Sequence, residues 1–502
     1  MDSVPPAPRP ARLPLAGLVL AVAFLAYAGF IYQLGAPYAG GADSSGYLNS
    51  ARLLAAGKLA DSVRTVPGLE PPAWDYFFHQ PLGYAVKPGR TEMVPTYPVG
   101  LPLHYVVGAW CVGFEKTARV VNAIAALAAG VLLFRLSRRV GLGGGWSVVA
   151  VALLWCCPIW IFHALQPLSD CVATAWILAA VLAALHADRT RWAVVAGVAL
   201  GLAVLVRPTS LLALAPLVVL LPRTRRAWAA FVLGGVPAAV FLAWYNATLY
   251  GGALQTGYSQ GGSELWSAFG REFVAGNLAF FAAWVPKVLS WPVVLLAVLG
   301  LAWLWPCQRT LAAALLAWIA GFLAFYTPYF CAGESWGYLR FLLPAFPAVI
   351  LAALLAAQRL AHALPRPVRR FAPTLVVLGT VSFQLALADE LHLTDIRSGE
   401  RNYWVAARWI RDQVPADAVV LSMQMSGAIT FYNTQPIVRW DQITPAQFDL
   451  LRRATAEHHR PLYAALFPFE RSQLKERFGG DWRVMGHAGD VEFWRLEGTA
   501  TP

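Results

Sequence analysis

Apolar residues in this chain do not alternate with polar ones but gather in blocks. Many blocks reach about 20 residues, the length an α-helix needs to cross about 30 Å of hydrocarbon. They start near positions 13, 118, 146, 168, 192, 209, 228, 286, 310, 339 and 371. The pattern predicts a mainly α, polytopic membrane protein with about eleven transmembrane helices. From position 390 the polarity becomes ordinary. A helix is followed by a strand over 418–422, a short helix, and strand candidates over 436–439, 462–466 and 491–496. These elements predict a small soluble α/β domain. The expected organisation is a transmembrane module over 1–389, with one large loop over 35–117, and a separate domain over 390–502.

Charge sorts by sign between the blocks. Arg135, Arg138 and Arg139, then Arg189 and Arg191, then Arg223, Arg225 and Arg226, then Arg309, then Arg359, Arg366, Arg369 and Arg370 fill alternate connections. The positive-inside rule makes those connections cytoplasmic. Acidic residues, among them Asp43, Asp61, Glu92, Asp170, Glu264, Glu334 and Asp389, fall in or beside the other connections. The N-terminus is therefore expected in the cytoplasm and the C-terminal domain outside it. The stretch 192–222 is interrupted at Arg207 and Pro208 and has basic flanks on both sides. It reads as a hairpin of two short helices with Arg207 at a recessed outer apex, since proline disfavours helical geometry at the residue before it. The first block, from Leu13 after Arg9 and Arg12, exceeds the usual signal-peptide core of about 7 to 15 residues. It reads as an uncleaved helix, with a signal peptide as the alternative.

Composition agrees with this picture. With 58% hydrophobic and 13% charged residues, the chain has more apolar surface than a soluble globule can bury. A net charge of +12 in a soluble protein would suggest nucleic acid, but here many of the cations sit in the short connections, and no nucleic-acid partner is expected. Six cysteines show no CxxC pair, and none lies beyond 390. Neither a zinc site nor a disulfide framework is expected, and an isolated pairing of Cys111 or Cys331 stays open.

The candidate chemistry lies in the outer connections. GGADSSGYLNSARLLAAGKL follows the first block, with Tyr47, Ala51 and Leu54 on one face of a helix starting near Ser44. This predicts an amphipathic helix on the outer membrane surface. Asp43 at its start has two readings, a helix N-cap and a carboxylate suited to general-base work. EMVPTYPVGLPLHYVVGAWCVG contains Tyr97 and a helix too short to span, a second surface or re-entrant element. Lys87, Arg90 and Glu92 precede it and read as a solvated loop or as ligands. Asp170 and Arg340 sit at outer helix ends. Asp43, Asp170, Arg207, Glu334 and Arg340 thus converge on one face of the membrane. Two arginines beside carboxylates suit a phosphate-linked substrate, which guanidinium binds bidentately.

These segments, in this order, resemble the GT-C superfamily of membrane glycosyltransferases that use polyprenyl-phosphate sugars, the group of protein O-mannosyltransferases and lipid A aminoarabinose transferases. The likeness rests on the Asp43 loop, YPVGLP at Tyr97 to Pro102, LSD ending at Asp170, RPTS at Arg207 and YLRFLLPAFP from Tyr338. It implies a hexosyl- or pentosyltransferase in a bacterial inner or plasma membrane. It implies Asp43 as catalytic base, with Arg207 and Arg340 on the lipid phosphate and Asp170 and Tyr97 in the substrate site. A single inverting displacement would carry the sugar to a cell-envelope acceptor, whether lipid, glycan or protein. Some members carry Glu-Lys-Pro where this chain has Thr96, Tyr97 and Pro98. Metal or phosphate contacts from that pair do not transfer, Glu92 and Lys87 are the candidates to replace them, and a divalent metal stays open. The rival class is a polytopic lipid or solute transporter or flippase, against which stands the absence of paired halves with matching broken helices.

Overall fold

The computed structural model describes residues 15–87, 90–259 and 265–497. Leu13, where the first block begins, its flanking Arg9 and Arg12, and Glu264 lie outside the described residues. A helix α1, Leu15–Leu34, is followed by α2, Ala42–Ala55, and by three short strands, β1 (Asp61–Ser62), β2 (Tyr84–Val86) and β3 (Glu92–Pro95). The strands form an antiparallel sheet in the order β1-β3-β2. Then come α3 (Gly100–Val112), α4 (Phe114–Arg139), α5 (Gly144–Trp155), α6 (Pro158–Ala164), α7 (Asp170–Ala184), α8 (Thr190–Val206) and α9 (Leu214–Leu220). The helical body closes with α10 (Arg225–Tyr250), α11 (Glu272–Leu289), α12 (Trp291–Cys307), α13 (Arg309–Tyr326), α14 (Phe346–His362) and α15 (Arg366–Glu390).

Seven of these helices, α1, α4, α10, α11, α13, α14 and α15, are long and apolar enough to cross a membrane among the described residues, and α5 with α6 makes an eighth if the bent pair is one span. Five shorter apolar helices accompany them. The chain is an integral membrane protein. The bend of 64° between α5 and α6 has a local cause. Pro158 cannot donate to the helix ladder, and Cys157 before it is extended. The fully buried Gln384 of α15 reaches the break and donates to the carbonyls of Leu153 at 3.2 Å and Val288 at 3.1 Å. A polar side chain thus restores bonds that lipid could not. Close packing elsewhere depends on glycine: α8 and α10 cross where Gly197 faces the backbone of Phe231 and Gly234 faces that of Val194, and any Cβ there would overlap the neighbour.

The basic connections gather at one end of the bundle. Arg139, ending α4, donates at 2.9 Å to Leu185 just past α7, and Gln358 of α14 bonds Gly143 and Gly141 between α4 and α5. The block expected to start near 286 is divided at Ser290, whose φ of 77° ends α11 and starts α12. Asn277 of α11 donates to the carbonyls of Thr327 and Tyr329 past α13, and Lys287 pairs with Glu390 at the end of α15 at 3.3 Å. Both ends of α11 therefore lie at the end of the bundle opposite the basic connections. All six cysteines are free, Cys111 and Cys331 included.

At that opposite end sits the C-terminal part, which comprises α16 (Ile396–Gln413), β4 (Val419–Leu421), α17 (Ser426–Tyr432), β5 (Ile437–Val438), α18 (Pro445–Glu457), β6 (Leu462–Leu466), α19 (Pro468–Phe478), β7 (Trp482–Ala488) and β8 (Val491–Leu496). Its sheet has the order β5-β4-β6-β8-β7, parallel among the first three strands and antiparallel for the rest. Successive strand residues face opposite sides. Val419 and Leu421 pack with Phe448, Leu451 and Leu474, while Val420 packs with Ile410, Ile429 and Phe493. The first of these two cores also contains Val66, Leu69 and Trp74, so the loop after α2 is part of the C-terminal fold.

That docking buries α2. Instead of resting on a membrane surface, it lies between the bundle and α17. Ser44 to Ala51 are all buried, Asn49 Nδ2 donates to Gly427 O at 3.0 Å, and Arg52 donates to Phe431 O. Arg64 donates to the carbonyls of Thr430 at 3.1 Å and Asn433 at 2.8 Å. Two arginines of the first loop therefore satisfy carbonyls that the end of α17 leaves without helical partners.

Candidate active site

Four charged side chains from four distant segments meet beneath the C-terminal part. Asp170 is the first residue of α7, where the partial positive charge of a helix N-terminus favours a carboxylate. Arg207 stands between α8 and a 3₁₀ turn over Pro208–Ala213, in extended backbone imposed by the proline that follows. Arg340 belongs to a 3₁₀ turn over Trp336–Phe341, ahead of α14, which begins only at Phe346. Asp43 lies in the first turn of α2. The residue at the cap position there is Gly41, and no side chain caps the helix, so the capping reading of Asp43 falls.

The contacts form a chain. Arg207 Nη1 donates to Asp170 Oδ1, Arg340 Nε reaches the same oxygen at 3.4 Å, and Arg340 Nη1 donates to Asp43 Oδ2 at 2.6 Å. Asp170 is fully buried and Arg207 nearly so. The Arg207 guanidinium also lies 5.5 Å from the Phe341 ring centre, and the following residue, Pro208, leads to Thr209, which accepts from the Tyr326 hydroxyl at 2.7 Å. Burial by itself raises the Asp43 carboxyl, but the Arg340 guanidinium and the Tyr97 hydroxyl outweigh it and hold the group below its ordinary range. Tyr97 packs on this site, its ring tilted against that of Tyr47 at 5.0 Å, and the Tyr47 hydroxyl donates to Ser169 Oγ at 3.1 Å.

A cavity of about 290 Å³ opens beside the chain of charges, lined by Asp43, Ser44, His163, Tyr338, Arg340 and Glu400 among others. The structure thus gathers Asp43, Asp170, Arg207, Arg340 and Tyr97. It does not bring Lys87 or Glu92 to them: they sit at the turn end of the β2–β3 hairpin, where Lys87 N bonds Glu92 O, Glu92 is exposed, and neither lines the cavity. Glu334 is likewise exposed and outside the lining. Two residues were missed in the sequence. His163 of α6 has Nδ1 3.3 Å from Asp170 Oδ2, and Glu400 of α16 enters from the C-terminal part. A lone histidine in an apolar run and a glutamate in a polar helix give no periodic signal.

The donor set does not fit a resident divalent metal. No three His, Cys, Asp or Glu side chains gather as ligands among the described residues. Asp43 and Asp170 already face guanidinium groups, whose charge would repel a dication. What the cluster suits is a phosphate: two guanidinium forks held side by side by one buried carboxylate.

The bundle, the buried first-loop helix and the C-terminal sheet over the charged cluster together make a fold that solved structures share. In particular, the structure is similar to that of ArnT from Cupriavidus metallidurans bound to undecaprenyl phosphate, at a TM-score of 0.61 and 15% identity over 98% of this chain and 100% of that one. The apo state of the same protein gives a TM-score of 0.58 at 16% identity, covering 97% and 100%. The arabinofuranosyltransferase AftD from mycobacteria gives 0.54 at 15% identity, over 95% of this chain and 40% of AftD. No protein-family model matches the sequence, and no curated protein matches it.

Proposed function

We propose that the chain is an integral membrane glycosyltransferase that moves a hexose or pentose from a polyprenyl-phosphate donor to a cell-envelope acceptor by inverting displacement. The observation that carries this reading is the convergence of Arg207 and Arg340 on Asp170, with Asp43 beside them at an open cavity. The undecaprenyl phosphate bound by ArnT, a protein of the same fold, supports a polyprenyl-phosphate lipid here.

In this reading the acceptor's hydroxyl or amine attacks the anomeric carbon, the bond from that carbon to the phosphate oxygen breaks, and its electron pair stays on the lipid phosphate. Asp43 takes the acceptor's proton. Arg207 and Arg340 meet the charge that grows on the departing phosphate, the interaction that most lowers such a barrier. A sugar phosphodiester has a good leaving group, so one base suffices where glycoside hydrolysis needs an acid and a base.

The same proposal places eleven crossings in the membrane: α1, α4, α5 with α6, α7, α8, the 3₁₀ turn with α9, α10, α12, α13, α14 and α15, with α11 lying along one face. The contacts of Asn277 and Lys287 support that placement of α11. The basic connections then face the cytoplasm with the N-terminus, and the C-terminal domain, 390–502, stands outside a bacterial inner or plasma membrane over the module of 1–389. The test uses purified protein in liposomes with radiolabelled polyprenyl-phosphate hexose or pentose, and mass spectrometry of envelope lipids and glycans from cells with and without the protein. Release of polyprenyl phosphate together with one missing envelope modification is the expected result. If neither is observed, the function is unsupported.

A further inference from the structure

One buried carboxylate in the cavity has no part in the chemistry above. Glu400, in the second turn of α16, reaches across from the C-terminal part and lines the same cavity as Asp43 and Arg340. Its carboxylate lies directly on Gly40, so close that a Cβ there would collide with it, and next to Gly41. The two glycines ahead of Asp43 thus make the room that seats this group. Oε2 of Glu400 is buried and has no hydrogen-bond partner. A buried acceptor without a donor is costly and rare in a folded chain, and Glu400 lines the cavity, where its carboxylate can meet a ligand hydroxyl.

The ligand must be on the acceptor side. A carboxylate repels the donor's phosphate, which belongs with Arg207 and Arg340, and Glu400 comes from the C-terminal part rather than from the bundle that would hold the lipid. We propose that Glu400 is the acceptor-binding carboxylate of this site, taking a hydrogen bond from a hydroxyl of the acceptor and fixing it beside Asp43. This rests on the glycosyltransferase reading. Burial lifts the Glu400 carboxyl to about 7, against the Ser44 hydroxyl and the Gly41 amide, with the nearby Asp43 charge adding to the rise. The other titratable groups facing it are Tyr403 on its own helix and Tyr432 on α17, with His163 and Arg340 across the cavity. Acceptor binding should therefore weaken as pH falls through about 7, when the carboxylate becomes a neutral acid and a poorer acceptor.

The experiment compares wild type with Glu400→Gln and Glu400→Asp in liposomes. Radiolabelled polyprenyl-phosphate hexose and pentose serve as donors, and octyl glucoside and a total envelope extract serve as acceptors. Hydrolysis of the donor by water is followed in parallel. Glu400→Gln should raise the acceptor KM at least tenfold at pH 8 and flatten its dependence on pH, with donor hydrolysis and donor KM within twofold of wild type. Glu400→Asp should fall between the two. An acceptor KM unchanged in Glu400→Gln, or a rise in donor KM instead, overturns the role of Glu400 while wild-type transfer keeps the enzyme reading. A wild-type protein that neither transfers nor hydrolyses either donor overturns the enzyme reading and the role of Glu400 with it.

Discussion

Arg340 donates from Nη1 to Asp43 Oδ2 at 2.6 Å, joining residues 297 positions apart in the chain. Because Nε of the same guanidinium reaches Asp170 at 3.4 Å, one planar cation fixes the distance between the carboxylate of the first loop and the carboxylate that opens α7. Arginine suits this task and lysine does not, since only a rigid fork can address two acceptors in a set geometry. The bundle end and the first loop are thereby tied at a single residue.

Arg207 should prove the more costly arginine to remove. It is buried with Asp170, and deleting one partner of a buried ion pair costs about 3 to 5 kcal/mol when nothing replaces it. Here Arg340 still faces Asp170, so the expected loss in Arg207→Ala is nearer about 3 kcal/mol. Donor KM should rise at least tenfold. Arg207→Lys should restore the stability in large part and the donor KM only in part, because it returns the charge without the fork. Thermal melts in detergent and donor titrations measure the two effects; wild-type donor use by Arg207→Ala would reduce the residue to an anchor.

Stability should vary with pH through Glu400. A carboxyl raised from its ordinary value of 4.5 to about 7 in the folded chain binds its proton more tightly there than in the unfolded chain. It costs nothing below about pH 4.5. The cost grows as pH rises through that range and levels off above about 7, at roughly 3 kcal/mol. Glu400→Gln removes the titration. Its melting temperature should match wild type at pH 5 and exceed it at pH 8, whereas a constant difference across that range would contradict a raised Glu400.

Sidedness can be read with an impermeant thiol reagent, in a background lacking the exposed Cys111 and Cys307. The proposed orientation expects a cysteine at Glu92 or Asp449 to be labelled from outside intact cells and one at Asp188 to be labelled only after lysis. All three positions are exposed in the structure. Ser44 and Ser137 would be poor reporters, since both are buried. Labelling of Asp188 from outside would invert the orientation.

Much of this architecture is legible in the sequence because lipid imposes a simple rule, apolar blocks of a given length. The strands over 462–466 and 491–496 coincide with β6 and β8, which are almost wholly buried. β7 escaped notice because it is an edge strand with mostly exposed residues and a register shift between Val484 and Gly486. The division at Ser290 was hidden inside continuous apolar sequence, where one residue of positive φ leaves no compositional mark. The polar face of α2 misled for a different reason. Ser44, Ser45, Asn49 and Ser50 read as solvent-facing, yet all four are buried within the protein. Asp43, Asp170, Arg207 and Arg340 could be picked out because charge is conspicuous beside apolar blocks, while Glu400, in an ordinary polar helix, could not.

Asp43 is the residue on which the mechanism stands, and asparagine is the substitution that isolates its role. The amide is the same size and can still accept the hydrogen bond from Arg340, and because Asp43 does not cap α2, no helix end is exposed by the change. The melting temperature of Asp43→Asn should therefore stay close to that of wild type. Its chemistry should not: an amide cannot take a proton, and loss of a general base typically lowers a rate by about 100- to 10,000-fold. Because the Asp43 carboxyl is held below its usual range by Arg340 and Tyr97, it is charged throughout the neutral range. The deficit in Asp43→Asn should thus be the same at pH 6 and pH 8. Binding of polyprenyl phosphate, followed by equilibrium binding in detergent, should persist, since Arg207, Arg340 and Asp170 are untouched. A deficit that vanishes at one end of the range would assign the base to a group that titrates there. Near-native transfer by Asp43→Asn at both pH values would remove Asp43 from the proton transfer and leave it as the partner that orients Arg340.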